Sequence, residues 1–314
     1  MKDKHLGFIA MVVASLGLGI AVLLMKVIPD LTGMPPQHVS IWRFTLATPP
    51  IWLILGLQRR SKVLMANHLR LFLLLGLIFS IASFSAIFAL QRLTSSIYVI
   101  LIYIYPSLVV IYALLTGGRV PRLYWLGLPI TLLGLFLTSF DFGSALAIDP
   151  IGMAITLVNA LALVAYMVLS EKAFTNMNYP LLGTTGVMSG AMLVGLLLIP
   201  ILGISAPDTL RGWILLVSFS LFGTLMPIMA MNISLGLLGA ARGSVIITLQ
   251  PVLTVFMAMV FLNESLSFQQ WIGGGLVILA IVLLQRSPDR LRQPGQEKPW
   301  RLHTEKDLSK EKVN

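Results

Sequence analysis

Long apolar runs separated by short polar stretches set the rhythm of this chain. A run of about 20 residues crosses a hydrocarbon layer roughly 30 Å thick as an α-helix. Ten such runs can be drawn: Leu6–Val27, Val39–Leu57, Leu69–Leu90, Ser96–Leu115, Tyr124–Phe140, Pro150–Ser170, Leu181–Gly203, Trp213–Leu237, Ser244–Leu262 and Trp271–Gln285. No stretch alternates apolar and polar residues over a strand length, which argues against a barrel. In lipid the helix is then the remaining way to pair the backbone. Most connections are short, so successive helices are antiparallel neighbours. The third and fourth spans are parted only near Gln91–Ser95, the eighth and ninth only by Gly239–Gly243. The pattern predicts an all-α, polytopic membrane protein with ten transmembrane helices.

The second half of the chain repeats the first at an offset of about 145 residues. Gly7 recurs as Gly152, Pro106 as Pro251, and Gly118-Arg119 as Asn263-Glu264. With one inserted residue, Trp125-Leu126-Gly127 recurs as Trp271-Ile272-Gly273. Each copy holds an odd number of spans, so the two copies enter the membrane with opposite orientations. Inverted repeats with a site at their interface build many secondary transporters. The predicted division is a first five-helix repeat over 1–145, a second over 146–286, and a disordered basic tail over 287–314.

Composition agrees with this picture: 57% of residues are hydrophobic and 11% charged, against about 25% charged in a soluble domain. The net charge of +10 raises nucleic acid as a partner, but the placement of the charge argues against it. Lys2 and Lys4 stand at the start, Arg59, Arg60, Lys62 and Arg70 around the second connection, Arg119 and Arg122 in the fourth, and eight Lys or Arg in the tail. The alternate connections Pro29–His38 and Asp141–Asp149 carry none. Basic loops stay cytoplasmic, so both termini are expected inside the cell (inner) membrane, with the lipid bilayer as partner. The tail either binds anionic lipid or anchors topology. The first apolar run is followed by no small-residue cleavage site, so it reads as a span and not as a signal peptide. The absence of cysteine excludes disulfides and thiolate chemistry. No phosphate-binding loop is present to drive an ATPase.

Several local patterns carry a family resemblance: Gly19 through Lys26 at the end of the first span, Trp42-Arg43-Phe44 in the second, Leu93 through Pro106 and Leu238 through Pro251 with a proline thirteen residues after a small-residue turn, and Leu262-Asn263-Glu264. In order and spacing these resemble the EamA family of the drug/metabolite transporter superfamily, over nearly the whole chain. The chain departs from the family at Leu18, where tryptophan is common, and at Arg119, where glutamate is common. Arg119 on a cytoplasmic loop agrees with the basic-inside pattern. The resemblance implies ten helices in two inverted repeats, no enzymatic activity, no cofactor, and export of a small organic solute such as an amino acid. It also implies a cavity bounded by the first, third, fourth, sixth, eighth and ninth spans.

Polar residues within spans are the candidates for substrate contact. Arg43 is the only basic residue well inside a span. It either meets an anionic substrate group or serves structurally near the helix end. Asn159 and Tyr166 lie seven apart and share a face of the sixth span. Tyr98 and Tyr105 do the same in the fourth. Gln250 takes the repeat position of Tyr105, and Asn232 lies in the eighth span. Each lines a cavity or bonds a neighbouring helix. Lys26 and Glu171 occupy matching repeat positions, as gate residues or as interfacial charges. Pro106 and Pro251 act as hinges or as fixed kinks. Gly183, Gly186 and Gly190, with Gly273-Gly274-Gly275, fit close helix approach. The four histidines fall in predicted loops or tails. No His/Asp/Glu cluster lies at membrane depth, so no metal site and no catalytic set is expected. The first reading is thus a small-metabolite permease working by alternating access. A membrane enzyme or lipid-handling protein on the same scaffold is the alternative, and a partner organised by the tail a third.

Overall fold

The computed structural model describes residues 2–57, 62–93, 95–117, 122–139, 149–175, 177, 179–262 and 267–285. Arg59, Arg60, Arg119, Asn263, Glu264, the tail beyond Arg286 and the side chain of Lys26 lie outside the described residues. All described regular structure is helical.

The first repeat contains α1 (Lys2–Thr32), α2 (Pro36–Leu57), α3 (Lys62–Leu90), α4 (Ser95–Ile102), α5 (Tyr105–Leu115) and α6 (Arg122–Ser139). The second contains α7 (Pro150–Phe174), α8 (Pro180–Leu202), α9 (Leu210–Ser220), a π-helical segment Leu221–Leu225, α10 (Met226–Leu238), α11 (Ala240–Ile246), α12 (Leu249–Leu262) and α13 (Phe268–Gln285). Proline opens α2, α7 and α8, where its missing N–H has no intrahelical partner to lose. Asp149 caps α7 by accepting from the N–H groups of Ile151 and Gly152, and Thr209 caps α9 through Gly212 N–H.

Seven helical runs are long and apolar enough to cross a bilayer: Asp3–Thr32, Pro36–Leu57, Leu69–Leu90, Pro150–Phe174, Pro180–Leu202, Leu210–Leu238 and Ala240–Met257. Three shorter apolar helices, Tyr105–Leu115, Leu123–Leu137 and Phe268–Leu283, fall where the fourth, fifth and tenth spans were predicted. The bundle turns apolar side chains outward, among them Leu197 at 75% exposure and Ile201 at 79%, as a lipid-facing surface requires.

Close contacts repeat at the sequence offset. A Cβ on Gly7 would meet Leu238 Cγ at 2.7 Å and Leu237 Cβ at 3.1 Å; one on Gly152 would meet Leu93 Cγ at 2.7 Å and Arg92 Cβ at 3.0 Å. Thus α1 starts against the end of α10, and α7 starts against the end of α3. At its far end α7 places Phe174 against Phe72 near the start of α3 and against Gly236 near the end of α10. The start of α1 and the end of α7 therefore share one end of the bundle, and these two repeat-equivalent helices run in opposite directions.

Close approach is present at Gly183, Gly186, Gly190 and Gly273 but not at Gly275, where an added Cβ would meet no atom within 4 Å, and at Gly274 it would meet only Val252 Cγ1 at 3.3 Å. Gly190 of α8 sits so close to α3 that a Cβ would lie 2.5 Å from the Leu73 carbonyl oxygen and 3.1 Å from Gly76 Cα. Gly183 and Gly186 lie against Phe72, also of α3, and Gly183 against the Phe174 ring as well. Gly134 of α6 meets the Gly273 carbonyl of α13 in the same manner, at 2.7 Å. With no hydrophobic drive between helices in lipid, such backbone approach is a main source of association. Several buried hydroxyls bond carbonyls one turn back, as Ser15 on Met11, Thr156 on Gly152 and Ser220 on Leu216.

Two expectations are corrected. His5, His38 and His68 belong to α1, α2 and α3 and not to loops. His38 is buried and bonds Leu202 O through Nε2 at 2.8 Å, while Nδ1 accepts from Ser205 N–H at 3.1 Å. α2 also begins three residues before the predicted Val39, because Pro36 is a favourable first helical residue. Arg43 consequently stands two turns inside the helix.

Gly190→Ala is expected to destabilise the protein by about 1–3 kcal/mol. Gly56→Ala, at a glycine with no atom within 4 Å of the added carbon, should instead stabilise by about 0.5–1 kcal/mol. Thermal unfolding of the two variants in detergent measures the contrast.

Candidate functional site

Two spans are broken at corresponding places. Tyr103 and Ile104 separate α4 from α5, just before Pro106, and Ile247 and Thr248 separate α11 from α12, just before Pro251. Proline has no N–H, so the carbonyl four residues earlier loses its helical donor. In the second copy the Ile247 carbonyl accepts from Gln250 N–H instead, at 2.9 Å. Discontinuous helices of this kind expose backbone polar groups at transporter sites.

Around the first break stand three tyrosines. The rings of Tyr103 and Tyr105 lie 5.9 Å apart, and Tyr98 is within electrostatic reach of both. The hydroxyls of Tyr103 and Tyr105 take no hydrogen-bond partner among the described residues. At the second break Gln250 is half-buried, and its side-chain amide likewise takes none.

Two polar networks radiate from α7. The Asn159 amide, oriented by its hydrogen-bond network, accepts from the Tyr98 hydroxyl at 2.8 Å and from Ala86 N–H at 3.3 Å, and donates to the Ala82 carbonyl at 3.2 Å. It thereby bridges both members of one helical rung of α3. Two turns further on, the Tyr166 hydroxyl donates to Asn232 Oδ1 at 2.7 Å, and Asn232 Nδ2 donates to Thr184 Oγ1 at 3.2 Å. Tyr166, Asn232 and Thr184 have no exposed surface. The predicted residues Asn159, Tyr98, Tyr166 and Asn232 are thus joined into helix-to-helix bonds, α7 to α3 and α4 in one case, α7 to α10 and α8 in the other. Tyr105 and Gln250 do not join them.

Arg43 forms a third feature. Its Nη2 donates to Ser83 Oγ of α3 at 2.7 Å. Its guanidinium carbon lies 4.5 Å from the Phe44 ring centroid and 5.4 Å from that of Phe219 in α9. Each cation–π contact contributes about 0.5–2 kcal/mol. Nε is buried without a partner. Phe219 stands just before the π-helical segment, a distortion that often accompanies function. There Thr224 Oγ1 bonds the Phe219 carbonyl at 3.3 Å.

The two ends of the bundle carry different polar contacts. Where the chain begins, Glu171 Oε2 accepts from Ala240 N–H at 2.9 Å and caps α11. The chain turns into α11 at Gly239, whose φ of 83° suits glycine. Lys172 bonds the Tyr112 hydroxyl at 3.1 Å, and Arg242 bonds that of Tyr124. α5 packs on α11 at this end, whereas α4 and α12 form no packed pair among the described residues. At the opposite end Arg92 pairs with Asp149 at 3.2 Å, and Trp42 Nε1 donates to the Ser205 carbonyl at 2.7 Å. The Asp149 carboxyl is held below its ordinary pKa, first by Gly152 N–H and further by Arg92. Among the described residues no three His, Cys, Asp or Glu side chains converge on a metal position.

A multi-pass helical membrane protein made of two copies of one unit, with polar groups gathered at paired helix breaks, is the class that this fold and site define. Residues 5–140 and 150–286 each match the model of the EamA-like transporter family. The chain belongs to that family, and is thus a membrane transporter of the drug/metabolite type and not one of a family of enzymes. No curated protein sequence matches it. A solved structure titled "Crystal structure of protein" is similar over 90% of this chain and 96% of its own, with 17% identity and a TM-score of 0.71; that likeness is one of fold.

Sequence reasoning missed Ser83, Thr184 and Tyr103. Serine and threonine bond their own helix so often that neither signals a partner. Tyr103 did carry a signal, as the middle of three tyrosines within eight residues.

A double-mutant cycle on Tyr166→Phe and Asn232→Ala should give a coupling of about 0.6–1.7 kcal/mol in unfolding free energy. Asp149→Asn should lower the melting temperature at neutral pH. A depressed carboxylate stabilises above its unfolded pKa, so the difference from wild type should close as pH falls below about 4.

Proposed function

We propose that this protein carries a small organic metabolite, an amino acid or a related solute, outward across the cell membrane by alternating access. In this reading the chain crosses the bilayer ten times, with both termini cytoplasmic, as the basic connections favour. The repeats 1–145 and 146–286 rock about their interface. The observation that carries the reading is the pair of broken spans at matching repeat positions, with the uncommitted polar groups of Tyr103, Tyr105 and Gln250 beside them. Such breaks let a polar solute replace water without stranding a backbone group in hydrocarbon. The contact of α5 with α11, beside separated α4 and α12, fits a state closed toward the cytoplasm. The bonds of Glu171, Lys172 and Arg242 would have to break for that side to open. No acidic residue lies mid-span, so facilitated diffusion or exchange accounts for transport as readily as proton antiport.

The test is flux into proteoliposomes holding the purified protein, with a pooled metabolite mixture read by mass spectrometry, with and without a pH gradient. Selective, saturable flux is expected. Gln250→Ala should lower it about tenfold, the cost of one lost hydrogen bond to a charged or strongly polar group. Absence of flux from folded protein for every pooled solute would overturn the reading.

A further inference from the structure

We infer that Arg43 receives a carboxylate, or a comparable anionic group, of the transported solute; the inference rests on the transport reading above and names the substrate class for it. Arginine stays charged in proteins, and this one is placed where charge is costly. α2 begins at Pro36 and Ser83 lies seven residues before the end of α3, so each side of the Arg43–Ser83 bond stands about 10 Å from its helix end. The head is therefore held inside the bundle and does not snorkel to the surface.

Its protein partners do not complete it. Ser83 supplies a neutral hydroxyl, and the rings of Phe44 and Phe219 supply quadrupoles. No carboxylate pairs with Arg43 among the described residues. Of the five N–H donors on the planar fork, Nη2 alone finds an acceptor, and Nε is buried with none. The side chain nonetheless keeps accessible surface, although α2, α3 and α9 enclose it. A cation held among three helices, with no carboxylate paired to it among the described residues, is suited to an anion that arrives and leaves. Arginine holds a carboxylate through two parallel bonds.

The second pole of the solute is placed by α3. Ser83, which anchors the guanidinium, is the next residue after Ala82, whose carbonyl holds Asn159, and three before Ala86. Arg43 and the Tyr98–Asn159 pair therefore attach to a single turn of α3, at residues one to three apart, a rise of about 1.5–4.5 Å along it. That proximity places a second polar group near the guanidinium, as a small acid or zwitterion would use.

The experiment compares two pools in proteoliposomes holding the full chain: the common L-amino acids and their carboxamides, read by mass spectrometry. Wild type should carry acids at least tenfold faster than the matching amides. Arg43→Gln should lower acid flux at least tenfold without lowering amide flux, and Arg43→Lys, which keeps the charge and loses the fork, should fall between. In parallel, modification of wild-type Arg43 by phenylglyoxal should slow at least threefold in the acid pool and be unchanged in the amide pool. This arm needs no variant to fold. Flux without preference for acids, or a preference that survives Arg43→Gln, overturns the inference and leaves transport standing. Protection by acids without flux upholds the anion site and overturns transport. Neither flux nor protection overturns both.

Discussion

Hydrocarbon supplies no hydrogen-bond partners, so each polar group within these helices must find one inside the protein or in a solvated path. That constraint orders the interior. Hydroxyls such as Ser15 and Thr156 close on their own helix. Asn159, too large for that solution, clamps a rung of α3 and takes the Tyr98 hydroxyl. Tyr166 and Asn232 satisfy one another and reach Thr184. Among the described residues the constraint is left unmet at Tyr103, Tyr105 and Gln250 beside the breaks before Pro106 and Pro251, and at Arg43 Nε and the hydroxyls of Ser40, Ser170 and Ser234.

The two repeats share a frame and differ in chemistry. The contacts of Gly7 and Gly152 are nearly superimposable in kind and distance, so the backbones of the two halves pack alike. The sequence positions of α1 that match Asn159 and Tyr166 of α7 are Ala14 and Ala21, both buried. The polar side chains at these matched positions therefore belong to α7, while α1 packs so closely that a Cβ on Gly17 would lie 2.8 Å from the Phe222 carbonyl oxygen.

Glu171 belongs to the frame. Its carboxylate caps α11 within the second repeat, a favourable place for negative charge at a helix start. The same bond ties α7 to the shorter half of the ninth span at the end where α5 and α11 meet. The polar contacts of Glu171, Lys172 and Arg242 thus gather at that end, beside buried Val109, Val110, Ala240 and Ala241.

The sequence alone determined the helical class, the repeat and its offset, the positions of the spans and the two proline breaks, because each depends on local composition and on backbone chemistry that proline alters in place. The family was equally legible, from short patterns in fixed order. The tertiary structure decided the rest. It placed His38 within α2 and beside Ser205, inserted a π-helical segment ahead of α10, set Arg43 two turns deep, and turned Asn159, Tyr166 and Asn232 into bonds between helices. Those outcomes depend on how each helix is rotated and offset against its neighbours. Close approach at residues such as Gly76, Gly190 and Gly134 fixes that rotation, and no periodicity along a uniformly apolar span encodes it.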